Sequence, residues 1–199
     1  MAHVPTSERR TQLIEAAVRV ISREGVGRAT TRRIADEAGA PLASLHYSFR
    51  DKEELFAAVL EHAVACTYQL VCDRGAPPGA GLAAAVRAFL EIFQEWTSAD
   101  PDLQSALYAL TQWKLHATGH EGAAAREYRA YFDGLIDIFR AAARPGETDV
   151  DLDKLARLTM ALNDGMVLQL LAVGGSAFAD IDLTTLAEGL VRASAGAQP

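Results

Sequence analysis

Residues 30–55 read TTRRIADEAGAPLASLHYSFRDKEEL and gather donors of one kind. Thr31, Tyr47 and Lys52 offer a hydroxyl, a phenol and an ammonium, the groups that hydrogen-bond to phosphate oxygens. Four cations, Arg32, Arg33, Arg50 and Lys52, crowd the same segment of a chain whose net charge is −7. Residues 1–54 hold nine Lys/Arg against eight Asp/Glu, and the remainder ten against eighteen. An acidic total disfavours general nucleic-acid binding, but the field near one surface follows local placement.

The elements that must position these groups are short. Thr30 or Thr31 caps a helix through Ile34, Ala35 and Ala38; Gly39 turns the chain; and Pro41 opens a second helix, Leu42 to about Tyr47. That helix buries Leu45 and presents Leu42, Ala43, Ser44 and His46. A longer helix precedes the pair, capped by Thr6 or Ser7, striped by Leu13, Ile14, Ala17, Val18, Val20 and Ile21, and stopped at Gly25. Another follows, with Asp51 and Glu54 as a capping box and Leu55, Phe56, Val59 and Ala63 as its apolar face to about Val71. Two short helices braced by two longer ones make a helix-turn-helix unit, in which the second helix enters the major groove.

The segment resembles the DNA-binding signature of the tetracycline-repressor (TetR) family of bacterial transcription regulators. The matching features are TTRRIA, the AG of the turn, SLHYSF on the recognition helix and DKEEL opening the fourth helix. The resemblance implies that Thr31, Arg32, Tyr47 and Lys52 meet phosphates or an outer base edge, and that Leu42, Ala43, Ser44 and His46 face the bases. Pro41, Ala43 and His46 depart from the family's commoner residues there. Leu42 and Ala43 cannot make a bidentate contact to a purine, so contact with thymine methyls is expected, which leaves Arg32 and His46 as polar readers. For Arg28, Arg33 and Arg50 the expectation is solvated surface charge. Phe49 is expected to wedge the recognition helix in place.

After the Pro/Gly-rich joint DRGAPPGAG (73–81), helices are expected near 82–97, 101–118, 122–143, 152–173 and 183–195. The fold class is therefore all-α with about nine helices. A DNA-binding domain is expected over 1–52 and a ligand-binding and dimerisation domain over 53–199, with the fourth helix as connector. The 152–173 helix is apolar on nearly every face, and a helix of that kind is buried by more than its own core. With the last helix it suits a four-helix homodimer interface through Leu155, Leu162, Met166, Leu170, Leu186 and Leu190, as the resemblance also implies. Phe93, Trp96, Tyr108, Trp113, His116, Phe132, Phe139, Asn163 and Gln169 set aromatic and polar groups within apolar helices. They are candidates for a pocket that takes a small, largely apolar effector.

Catalytic patterns are absent. His3, His46, His62, His116 and His120 form no metal spacing with Cys66 or Cys72, and neither a phosphate loop nor a GxSxG elbow occurs. No cofactor, metal or enzymatic activity is expected. With no signal-type or membrane-span segment, a cytoplasmic protein is expected. The expectation is a ligand-released repressor that binds a palindromic DNA operator as a homodimer. The alternatives are a helical protein-interaction adaptor and, behind it, a small helical enzyme with its site in the C-terminal bundle.

Overall fold

The computed structural model describes residues 5–116, 122–174, 178 and 180–196, apart from the side chains of Thr6, Cys72 and Ala123. Among these residues there are nine helices and no strand; a single antiparallel bridge joins Val150 to Ala195. The helices are α1 (Thr6–Glu24), α2 (Thr31–Glu37), α3 (Leu42–Ser48), α4 (Lys52–Arg74), α5 (Leu82–Ala99), α6 (Pro101–His116), α7 (Ala123–Ala142), α8 (Leu152–Val173) and α9 (Leu183–Ser194).

Most ends follow the capping chemistry in the sequence. Thr30 Oγ1 accepts the Arg33 N–H at the start of α2, and Asp151 and Asp182 cap α8 and α9 through Lys154 and Thr184. Two caps differ from expectation. Pro5 stands at the N-cap of α1 and makes no side-chain cap hydrogen bond, and the Thr6 side chain lies outside the described residues. A proline there brings a fixed φ to the start of the helix. At α4, Asp51 Oδ1 accepts the Glu54 N–H at 2.8 Å, but the Glu54 carboxylate takes the Arg50 N–H at 2.9 Å, one residue outside a regular capping box. The α4 helix also continues to Arg74. The expected end of α6 at Thr118 lies outside the described residues.

The chain divides into two compact units that do not follow its order. The first unit comprises residues 5–68 and 100–116 of those described. In it α1 packs on α2, α3 and α6. Its core takes Leu13, Ala17, Val20 and Ile21 from α1, Ile34 from α2, Leu45 from α3, Leu55 and Phe56 from α4, and Leu110 from α6. Phe56 meets Trp113 edge-on at 5.7 Å, and Ser22 Oγ donates to Asp102 Oδ1 at 2.7 Å.

The second unit holds residues 69–99 and the described residues from 122 onward. Here α5 packs on α7, α8 and α9 around Leu82, Val86, Leu90, Phe139, Leu155 and Ala187. The Glu147 carboxylate ties the joint before α5: it accepts the Leu82 N–H at 3.1–3.2 Å and the Arg144 N–H at 2.8 Å. No described helix is long and apolar enough to cross a membrane.

Candidate functional site

The site is built around the turn between α2 and α3. Gly39 sits at φ +59°, in the left-handed region. Its N–H reaches the Asp36 carbonyl at 3.1 Å, and the Ala40 N–H reaches Ala35 at 2.9 Å. This paired closure ends α2 within one residue, and a side chain at position 39 would strain it. The α3 helix is then fixed from beneath. Leu45 and Phe49 are buried to 0% and 1% exposure, and Arg10 brackets the end of the helix. The Arg10 guanidinium lies 4.3 Å from the Phe49 ring centroid, and its Nη1 donates to the Ser48 carbonyl at 2.9 Å.

With positions 45 and 49 inward, helical spacing turns 43 and 47 outward and leaves 46 at the flank, while Leu42, the first residue of α3, lies on the Leu45 side. Leu42, Ala43, His46 and Tyr47 are exposed, Tyr47 to 82%. Ser44 is only half-exposed, and its carbonyl accepts the Ser48 hydroxyl at 2.9 Å. Thr31 is half-exposed at the first position of α2, and Arg32 is exposed beside it. The Lys52 ammonium lies 5.2 Å from the Phe56 ring centroid, held at the start of α4. The eight DNA-facing candidates thus sit on α2, α3 and the first residue of α4.

The surrounding cations divide in two. Arg33 is paired with Glu24, and Arg50 with Asp51 at 3.2 Å; both arginines stay exposed, so these are solvated surface pairs. Arg28 and Arg32 carry no such partner among the described residues. Sequence reasoning missed Arg10 as the bracket, and it missed Glu37. That carboxylate bridges Arg19 at 2.8 Å and Arg23 at 2.6 Å, tying α1 to α2.

Hydrogen bonds from Arg23 and then Arg19 hold the Glu37 carboxyl below its ordinary value of 4.5. A depressed acid stabilises the fold fully above its unfolded value, and that contribution is lost as pH falls toward the lower folded value. Glu37→Gln is therefore expected to cost up to about 1 kcal/mol at pH 7. The cost should shrink as pH falls below the ordinary carboxylate range toward the lower folded value. Thermal melts of both proteins at pH 7 and through the acid range check this.

The pocket candidates fall in different units. Tyr108, Trp113 and His116 are in the first. There Trp113 and His116 line an open groove of about 460 Å³ with Val26, Gly27, Ala109 and Gln112. Phe93, Trp96, Phe132, Asn163 and Gln169 are in the second. Phe93 lies tilted 4.5 Å from Phe89 and meets Trp96 edge-on at 5.6 Å, and Phe132 stands 6.0 Å from Tyr128. Phe139 is fully buried in the core, and Gln169 is exposed. Asn163 is buried. Its neighbour Asp164 accepts the Tyr128 hydroxyl at 2.8 Å, and burial pushes the Asp164 carboxyl up from its ordinary range. Burial, then the Glu127 charge, moves Tyr131 well above the ordinary tyrosine range.

The expected interface positions also separate. Leu155, Met166 and Leu170 are buried in the second unit's own core, so their side chains are not available to a partner. Leu162, Leu186 and Leu190 are half-buried. The apolar surface that α8 leaves outward is carried instead by Ala161, Leu168, Ala172 and Val173, with Leu168 at 55% and Val173 at 69% exposure.

Cys66 is a free thiol, 3.7 Å from His62 Nε2, and burial raises its pKa, which makes it a poor nucleophile. Among the described residues no group of His, Cys, Asp and Glu is placed to hold a metal ion.

Comparison with known proteins agrees with this geometry. Residues 13–59 match the family described as "Bacterial regulatory proteins, tetR family". The chain is 32% identical to the HTH-type nicotine-responsive transcriptional repressor HdnoR of Paenarthrobacter nicotinovorans, over 85% of this chain and 87% of that one. It is 25% identical to the HTH-type transcriptional repressor AcnR of Corynebacterium glutamicum, over 94% of each. A TetR transcription regulator from Haloarcula marismortui shares the fold, with a TM-score of 0.73 and 19% identity over 96% of this chain and all of that one.

Proposed function

This chain belongs to the tetR family of bacterial regulatory proteins, and we propose that it is a repressor that binds a two-fold-symmetric operator as a homodimer and is released by a small organic effector. The observation that carries the reading is the outward face of α3: four exposed side chains on a helix locked from beneath by Leu45, Phe49 and Arg10. Thr31, Arg32, Tyr47 and Lys52 supply the phosphate contacts that set register, and Leu42, Ala43, Ser44 and His46 meet the bases.

The outer face of α8 supports the dimer. Ala161, Gly165, Leu168 and Ala172 lie along one line of the helix, small enough for close approach, with one large apolar side chain among them. Half-buried Leu162, Leu186 and Leu190 extend the surface, and an isologous contact there gives the symmetry that paired half-sites require. The division of labour follows the chain: residues 1–52 for DNA, residues 53–199 for effector and partner, with α4 as connector.

The effector is assigned to the second unit. Phe93, Trp96 and Phe132 supply apolar and aromatic surface, and Asn163 and Asp164 supply orienting polar groups. The name of HdnoR, a nicotine-responsive repressor, supports a small organic effector for a chain so similar. Release follows from linkage. An effector that favours the DNA-incompetent state by about 3 kcal/mol weakens operator binding up to roughly 150-fold.

The test is selection of bound duplexes from sheared genomic DNA, followed by footprinting. Protection of two inverted half-sites whose centres are about 10 base pairs or a multiple apart is the expected result. Protection with no two-fold symmetry sinks the dimeric reading. An absence of enriched sequences sinks DNA binding.

A further inference from the structure

We infer that α3 is a methyl reader: its operator is recognised chiefly through the C5-methyl groups of the major groove, so that thymine and 5-methylcytosine are favoured over uracil and unmodified cytosine. The inference rests on the DNA-binding reading above and names what that surface recognises.

The reasoning starts from which α3 side chains reach outward and what each can bond. Leu42 is the first residue of the helix, 39% exposed, and Ala43 beside it is exposed as well. The N-terminal residues of a recognition helix are the ones set against base edges. Neither side chain has a donor or an acceptor. Placed against the polar edge of a purine, each would strip water from that edge and return no hydrogen bond, which costs free energy. The one apolar group that the major groove offers is the methyl on C5 of a pyrimidine. Thymine carries it, and 5-methylcytosine carries it in the same place.

The polar side chains of α3 do not displace this reading. Ser44 is half-exposed, and its short hydroxyl adds one polar group beside the two apolar side chains. Ser48 itself is half-exposed and bound back into the helix. His46 is exposed one turn after Leu42 and is left as the hydrogen-bonding reader on the outward face. Tyr47 is 82% exposed and has a phenol suited to phosphate. Most of the sequence information at the front of the helix is therefore apolar, and it is carried by methyl contacts.

The test uses the full-length protein and the operator selected as above. Fluorescence anisotropy compares that duplex with duplexes in which each thymine in turn is replaced by deoxyuridine, which deletes the methyl and keeps the pairing. At one or two positions per half-site the affinity should fall about fourfold, the value of burying one methyl-sized group, while the other positions stay within twofold. A 5-methylcytosine·guanine pair at a sensitive position should bind more tightly than a cytosine·guanine pair by a similar factor. Leu42→Ala, compared at a temperature where its thermal melt shows it fully folded, should reduce the uracil penalty to less than twofold. Binding unchanged by uracil at every position overturns the inference and leaves DNA binding intact. A methyl effect undiminished in Leu42→Ala overturns the assignment to this helix. Failure to select any sequence overturns the DNA-binding reading and the inference with it.

Discussion

Phe49→Ala is expected to destabilise the protein by about 3–5 kcal/mol and to abolish operator binding. The ring is 1% exposed beneath α3, so its removal leaves a cavity under the C-terminal end of the recognition helix. The same change strips Arg10 of the surface it covers, while the Arg10 bond to the Ser48 carbonyl has little left to hold in place. A loss of that size is a large share of the ~5–15 kcal/mol that a domain of this kind has in total. Denaturant unfolding reads it directly. Phe49→Leu, which keeps most of the volume, should cost under about 1.5 kcal/mol and retain DNA binding. A Phe49→Ala protein within 1 kcal/mol of the parent would show that α3 is held some other way.

Leu168→Glu is expected to leave the folded chain intact and to separate the dimer. Leu168 is 55% exposed, so the substitution disturbs no core contact. Across a two-fold axis the new carboxylate meets a surface that carries its own copy, in an apolar setting where two like charges are strongly unfavourable. A single half-site then binds without the second, and the loss of linked binding lowers operator affinity by roughly 100-fold or more. Sedimentation equilibrium and anisotropy on one sample give both readings. A variant that remains dimeric would move the interface away from this face of α8.

The course of the chain was legible in the sequence wherever local chemistry decides it. Thr30, Gly39, Pro41, Asp51, Asp151 and Gly174 mark helix ends, and each acts on backbone groups within a few residues of itself. The rotation of α3 was legible in part, because one buried leucine, Leu45, sets the inward side of a two-turn helix, but Ser44, expected outward, is half-exposed and Tyr47 stands out to 82%.

What the sequence could not supply is which distant group each side chain meets. Glu37 is an ordinary surface acid until α1 brings Arg19 and Arg23 to it. Arg33 is one arginine among several until Glu24 is placed beside it. On α8 apolar residues occur on nearly every face, so periodicity cannot say that Leu155, Met166 and Leu170 go inward while Leu168 stays out. Nor could aromatic content separate Trp113, packed on Phe56 in one compact unit, from Phe93 and Trp96 in the other.

The central claim is that α2, α3 and the start of α4 hold DNA by its phosphates and bases. It is tested most directly by anisotropy of the parent and of the Tyr47→Ala/Lys52→Ala protein on the selected operator, titrated with salt. The parent should show log affinity falling steeply with log salt concentration. Removing Lys52 from both subunits should reduce that slope by about 2, and the double variant should weaken binding similarly on operator and on unrelated duplexes. A parent protein with a flat salt dependence, or a double variant with parental affinity and slope, would contradict it.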